Sequence, residues 1–178
     1  MMIRQLFISL LVALCLSGTA LASEREYAIK SGFMFNFARY SHGLWFSDDP
    51  EEHYVLCGFS PEFTAAAKQA LAGQSLFGAE VMVRQLNGFE EELSGCHTLF
   101  VSRDDVAEWT HIAGSQQLKN MMLVGESDDF IESGGHIRFY VVGGKVRFEI
   151  DPEGLEKAGI AMSSKVLRLG RIYKRDQS

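Results

Sequence analysis

The chain has 178 residues, 47% of them hydrophobic, with 23 acidic side chains against 17 basic ones. A formal net charge of −6 argues against non-specific binding to nucleic acid or to an anionic membrane surface. There is no low-complexity stretch, no internal repeat and no Pro-, Ser- or Gly-rich linker, so more than one domain is not expected.

Arg4 precedes an apolar run from Leu6 to Leu16, followed by Gly18 and the small-residue triplet Ala20-Leu21-Ala22. This is the pattern of a secretory signal peptide cleaved after Ala22. The run is about eleven residues, short of the roughly 18 to 20 that span a bilayer. A periplasmic domain over residues 23–178 is therefore expected, of 156 residues once 22 are removed from 178. Cys15 lies inside the apolar run behind Leu14, where lipid attachment would want a small residue, so a lipoprotein is not expected.

Two cysteines then remain, Cys57 and Cys96, in a compartment where disulfides persist. A bridge between them is favoured over a metal site or a reactive thiol. No CxxC is present, and His97 adjoins Cys96, so on a strand the two would point to opposite faces. The required approach of the Cα atoms to within about 7 Å is not obvious in a 2-1-3 strand order, because Cys57 falls late in its strand and Cys96 just before its neighbour begins.

Residues 24–41 read as an aromatic-rich helix. A projection at about 100° per residue groups Ile29, Phe33, Met34, Phe37 and Tyr40 on one face and Asn36, Arg39 and His42 opposite. Lys30 lands on the apolar face, where it is expected to snorkel, and Phe35 lands among the polar residues, where it is a candidate interface anchor. A strand over residues 54–59 precedes Ser60-Pro61-Glu62, which supplies an N-cap, a proline at the first helical position and an acid in the first turn of a helix to Leu71. Strands follow over 81–86, 98–102 and 121–125, with helices over 104–113 and 128–132. This alternation implies a largely parallel sheet with helices on both faces.

His136 to Val142 and Lys145 to Ile150 are then strands separated only by Gly143-Gly144, a tight hairpin. The two-residue loop puts Val141 opposite Val146, Phe139 opposite Phe148, Tyr140 opposite Arg147 and Arg138 opposite Glu149, so that one face is wholly apolar. Arg138 and Glu149 are expected to form a solvated pair of little energetic weight. Asp151 and Pro152 start a short helix ending near Gly159, and another runs from Ser163 through Leu169. The expected fold is a three-layer α/β sandwich: a mixed, mostly parallel sheet with a C-terminal antiparallel hairpin and helices on both faces.

Open parallel sheets bind ligands beyond the carboxyl ends of their strands. The strand-to-helix turns there read Gly58-Phe-Ser-Pro-Glu62, Ser102-Arg-Asp-Asp105 and Gly125-Glu-Ser-Asp-Asp129. None is a glycine-rich phosphate loop, and each offers carboxylates where phosphate would sit. These carboxylates are expected to complement helix dipoles, or else to form an acidic rim suited to a basic partner or a metal. GxSxG and HExxH are absent, and Met162 stands where an SxxK motif would need serine. Neither catalysis nor a cofactor is expected.

The helix Tyr27-Ala-Ile-Lys-Ser-Gly-Phe-Met-Phe-Asn-Phe-Ala-Arg-Tyr40 with Trp45 downstream, the Gly134-Gly135 turn, Gly144-Lys-Val-Arg-Phe-Glu-Ile150 and Ala158-Gly-Ile-Ala-Met-Ser-Ser-Lys-Val-Leu-Arg-Leu169 together resemble the YfiR-like periplasmic family. The resemblance spans nearly the whole expected mature chain in the same order. Lys30, Phe33, Asn36, Phe37 and Ala38 match its first segment. Lys145, Arg147, Phe148 and Glu149 match the hairpin, and Ser163, Ser164, Lys165, Leu167, Arg168 and Leu169 match the last. Phe35 stands where relatives often carry tyrosine, and no cysteine follows Cys96, so a second, redox-active pair is not available.

The resemblance implies a homodimeric repressor that holds an inner-membrane diguanylate cyclase inactive through its periplasmic domain and is relieved by an outer-membrane lipoprotein, with control of cyclic di-GMP, biofilm and motility. Phe35 and Arg39 on the first helix are the candidate contact residues. Lys30, Asn36, Glu149, Lys165 and Arg168 form a candidate pocket for a partner or a small amphipathic carboxylate or amino-acid-like ligand. A buried network joining first helix, hairpin and last helix is the equal alternative. The competing functional reading is a ligand-sensing module that feeds a membrane sensor kinase or transporter.

Overall fold

Period-two alternation governs the central strands, and it divides the interior into two cores. Tyr54 and Leu56 face one way and Cys57 the other; Phe100 faces one way and Leu99 and Val101 the other; Met122 and Val124 oppose Leu123. A computed structural model of the chain describes residues 22–43, 53–88 and 93–174. The expected signal peptide with its Cys15, and also Trp45, lie outside the described residues.

Helix α1 spans 22–39 and leads into β1 (Ser41–Gly43). After β2 (His53–Gly58) comes α2 (Pro61–Ala70), started as expected by the Ser60 hydroxyl, which accepts from the Phe63 N–H, and by Pro61. The hairpin β3 (Ser75–Leu76) and β4 (Ala79–Gln85) follows. Then come β5 (Thr98–Val101), a 3-10 turn over Arg103–Asp105 running into α3 (Val106–Ile112), and β6 (Met122–Gly125). The chain closes with β7 (Ile137–Val142), β8 (Lys145–Ile150), α4 (Pro152–Lys157), β9 (Ile160–Met162), α5 (Ser164–Leu167) and β10 (Arg171–Ile172).

The eight-stranded sheet has the order β10-β8-β7-β6-β5-β2-β4-β3, and a separate two-stranded sheet pairs β1 with β9. The block β4-β2-β5-β6-β7 is parallel throughout. Its first strand in sequence, β2, lies inside the block, so successive connections run in opposite directions from the boundary between β2 and β5. Helices α1, α2, α4 and α5 supply residues to one core, and α3 with the 118–121 segment supplies the other. The expected three-layer mixed α/β sandwich is the fold found.

The hairpin register is the predicted one, pairing Arg138 with Glu149, Phe139 with Phe148, Tyr140 with Arg147 and Val141 with Val146. Gly143 and Gly144 both have positive φ, +58° and +71°, as a two-residue primed turn requires. Phe33 and Phe37 of α1 pack on Phe139 and Phe148 at centroid separations of 4.9 to 6.1 Å, so this apolar hairpin face is covered by the first helix.

Three local expectations need correction. Residues 128–132 form turns rather than a helix; their core contribution is Phe130, wedged so tightly that a Cβ on Gly125 would come within 2.5 Å of its ring. The buried face of α1 is rotated from the projection: Lys30, Ser31, Met34, Phe37 and Ala38 are buried, while Ile29 and, just past the helix, Tyr40 are exposed. Strands β1, β3, β9 and β10 were not expected, because runs of two or three residues carry too little periodicity to register.

Cys57 and Cys96 form a disulfide with Cα atoms 5.8 Å apart. The gap foreseen from the strand order is closed by the turn before β5. Arg84 on β4, which pairs with Cys57, donates to the Ser94 carbonyl at 3.1 Å and to Cys96 Sγ at 3.0 Å, and so holds this turn against the sheet. His97 is spent on structure: its Nδ1 accepts from the Val55 N–H at 3.0 Å, and its own N–H donates to the Val55 carbonyl.

Candidate functional site

Where the connections reverse between β2 and β5, the carboxyl ends of the strands open a crevice, the usual ligand position in an open α/β sheet. Here the chain's own first helix enters it. The ring of Tyr27 packs edge-on against Phe63 of α2 at 5.7 Å and Phe100 of β5 at 6.1 Å, and its hydroxyl lies near the Ser60 side chain just beyond β2. One helical turn on, Lys30 forms ion pairs with Glu126, the residue after β6, and with Glu26. Glu126 also accepts from the Arg103 N–H at 3.0 Å, so that one carboxylate joins the ends of β5 and β6 to α1.

Burial sets the electrostatics of this corner. Desolvation, and then the nearby charge of Glu126, push the Tyr27 hydroxyl up to about 12, so it stays protonated and able to donate at any physiological pH. One other carboxylate in each of the three turns is also engaged within the chain. Asp105 accepts from the Ser102 N–H at 2.9 Å, Glu62 from the Ser60 hydroxyl at 3.1 Å, and Asp128 from Arg138 at 2.7 Å. The basic partner of the acidic rim is thus supplied from inside the molecule, chiefly by Lys30, which does not snorkel as expected. No group of three or more metal-ligating side chains occurs among the described residues.

The five residues expected to share one pocket are distributed over the molecule. Lys30 is in the crevice. Asn36 is exposed and donates back to the Gly32 carbonyl of its own helix at 2.8 Å. Lys165 and Arg168 are exposed at α5. Glu149 lies on the other face of the sheet, since its neighbours Phe148 and Ile150 are the ones turned toward α1. A single pocket or network joining all five is not formed, because strand parity and the sheet itself stand between Glu149 and the first helix. Of the contact residues, Arg39 is exposed as expected. Phe35 packs inward against the core beside Met34, Tyr54, Leu56 and Leu71 rather than presenting its ring to solvent.

Glu149 instead centres a second cluster. Arg171 of β10 donates to it twice, at 2.8 and 3.0 Å, and Arg138 donates at 3.3 Å. Both guanidinium groups lie over the Tyr140 ring, at 5.5 Å for Arg138 and 5.2 Å for Arg171. The pairing with Glu149 raises Arg171 above its ordinary pKa. The Arg138–Glu149 pair is therefore not the solvated cross-strand contact expected: both side chains are mostly buried, and with Arg171 they tie the last strand to the hairpin.

Tyr27, Arg103, Glu126 and Arg171 escaped the reading of the sequence as site residues. Glu126 carried a signal, being an acid immediately after a fully apolar strand, where the chain enters the crevice. Arg171 carried none, because a two-residue edge strand has no pattern.

The architecture is that of a doubly wound, mostly parallel α/β domain whose switch-point crevice is closed by its own N-terminal helix, with no helix among the described residues long and apolar enough to cross a membrane. Residues 27–171 match the family model described as YfiR/HmsC-like (DUF4154). The chain belongs to the YfiR/HmsC-like family. No curated protein matches it.

Among solved structures, the chain is similar to an ABC domain in complex with L-Trp from Streptococcus pneumonia (14% identity, TM-score 0.47, 68% of this chain and 55% of that one). It is also similar to a conserved domain protein from Vibrio cholerae O1 biovar El Tor (11% identity, TM-score 0.45, 69% of this chain and 55% of that one). The chain spans just over half the length of each.

Proposed function

We propose that this protein is a homodimeric periplasmic repressor that contacts the periplasmic domain of an inner-membrane diguanylate cyclase and lowers cyclic di-GMP output. The observation that carries the reading is the family match over residues 27–171, which takes in the crevice, the hairpin and Arg171 at the start of the last strand. The crevice geometry agrees with it: the position where this sheet type binds substrates is filled by Tyr27 and by Lys30 in its pair with Glu126. That leaves the outer surface as the working part.

Since Phe35 faces inward, the contact surface is carried by Ile29 and Arg39 of α1 and by Tyr40 just after it, all three exposed. Charge reversal at Arg39, paired with Ile29→Asp, removes an apolar and a cationic contact without touching the core. Deleting the gene in its host is expected to raise cellular cyclic di-GMP, secreted wild-type protein to lower it again, and the double variant, with unchanged Tm, to fail to lower it. Site-specific crosslinking from position 29 is expected to capture a membrane cyclase. Unaltered cyclic di-GMP on deletion, or full repression by the variant, refutes the proposal. Relief by an outer-membrane lipoprotein belongs to the same reading and is checked by its co-purification with the wild-type protein.

A further inference from the structure

At the opposite end of the sheet from the crevice, a cleft of about 350 Å³ opens between the 114–119 connection and α4. This is the low end of the volumes that hold small molecules. Its floor is apolar, made by Leu118, Leu123 and Ala158, the two leucines being nearly fully buried. Its cationic groups are Lys119 and Lys157, which enter from opposite sides. Neither lysine takes part in an ion pair among the described residues.

Glu153 stands four residues before Lys157 on α4, the spacing that favours a helical ion pair, yet the two are not joined. Lys157 at a helix C-terminus has a structural use in the helix dipole; Lys119, which follows a 3-10 turn in extended backbone, has no such use. The Ser115 hydroxyl oxygen in the same wall is buried and has no hydrogen-bond partner among the described residues. Two unpaired cations, an unpartnered buried hydroxyl and an apolar floor are complementary to one kind of molecule.

We propose that this cleft binds a small organic carboxylate with an apolar body, the carboxylate held between Lys119 and Lys157 with the Ser115 hydroxyl donating to it, and the body lying on Leu118 and Leu123. The site is separate from the crevice and from the α1 surface, and it stands or falls independently of cyclase repression.

The test is a titration of the mature protein followed by two-dimensional amide NMR, with phenylacetate, its neutral amide and inorganic phosphate as probes. Phenylacetate is expected to shift the amides of Gly114, Lys119, Gly134 and Lys157 with a millimolar or tighter dissociation constant. The neutral amide and phosphate should each bind about tenfold more weakly, the difference a lost charge contact or a lost apolar contact makes. The double variant Lys119→Gln/Lys157→Gln, both on the surface, should keep the wild-type spectrum elsewhere and weaken phenylacetate about tenfold or more. Ser115→Ala should weaken it by a smaller factor. Absence of shifts at this cleft up to about 10 mM, well above the affinity a ligand of this size reaches, overturns the proposal. So does equal binding of the amide or of phosphate, or undiminished binding by the double variant.

Discussion

Replacing Lys30 by methionine keeps most of the side-chain volume and removes the charge, leaving Glu126 without its cation. The Lys30 and Glu126 side chains are only 5% and 9% exposed, so the carboxylate cannot simply turn to water. Breaking one partner of a buried pair costs about 3 to 5 kcal/mol. Glu126 keeps the Arg103 N–H at 3.0 Å, which places the cost at the lower end, ~3 kcal/mol, or a fall in Tm of roughly 6 to 12 °C for a domain of this size.

Glu126→Gln should cost less, because Lys30 retains Glu26. The double variant Lys30→Met/Glu126→Gln keeps an acceptor for Arg103 and buries no charge at this position, so it should return to within about 1 kcal/mol of wild type. Urea denaturation of the four proteins gives the coupling directly, expected to be at least about 2 kcal/mol in the direction of mutual dependence. If the double variant is as unstable as the two single changes added together, the pair does not hold α1 in the crevice and the reasoning is refuted.

The Cys57–Cys96 bridge closes a separation of 39 residues, and its removal by Cys57→Ala/Cys96→Ala should cost about 4 kcal/mol in the urea midpoint extrapolation; mass spectrometry of alkylated periplasmic protein should find no free thiol at either position. Glu149→Gln should loosen β10, raising hydrogen exchange at residues 171–173 by an amount corresponding to about 1.5 to 3 kcal/mol for the lost charge-assisted bonds, while exchange in β5 and β6 stays unchanged. The Tyr27 hydroxyl is raised from 10 to about 12 by burial first and Glu126 second. Its contribution to stability is therefore complete below pH 10 and lost as pH rises toward 12. Tyr27→Phe should flatten the alkaline limb of a plot of urea midpoint against pH, and an unchanged limb would contradict the assignment.

What could be seen in the sequence follows the range of the interactions involved. The hairpin was legible because its apolar face repeats every two residues and its loop is two glycines, so the loop fixes the register through local geometry alone. The α2 cap was legible because Ser60, Pro61 and Phe63 are neighbours. Lys30 was misjudged because a helical projection assigns a lysine by hydropathy, whereas its partner Glu126 stands 96 positions away and is brought in by three crossovers. The disulfide geometry was illegible for the same reason: the turn at 93–96 that closes it depends on Arg84 from another strand.

Glu149 is the instructive case, because its placement needed no long-range information. Phe148 and Ile150 were assigned to the apolar face that must be covered, and an α/β hairpin in this position is covered by the first helix. Parity then puts Glu149 on the far side of the sheet from Lys30 and Asn36. Grouping polar residues because each matched the family gave a pocket that strand parity forbids; the hairpin register already pairs Glu149 with Arg138 on that far side, and leaves its second cation to be supplied by the chain that follows. Arg171 supplies it. The family-matched polar residues of this chain thus do two separate jobs, Lys30 fastening the first helix into the crevice and Glu149 fastening the last strand to the hairpin.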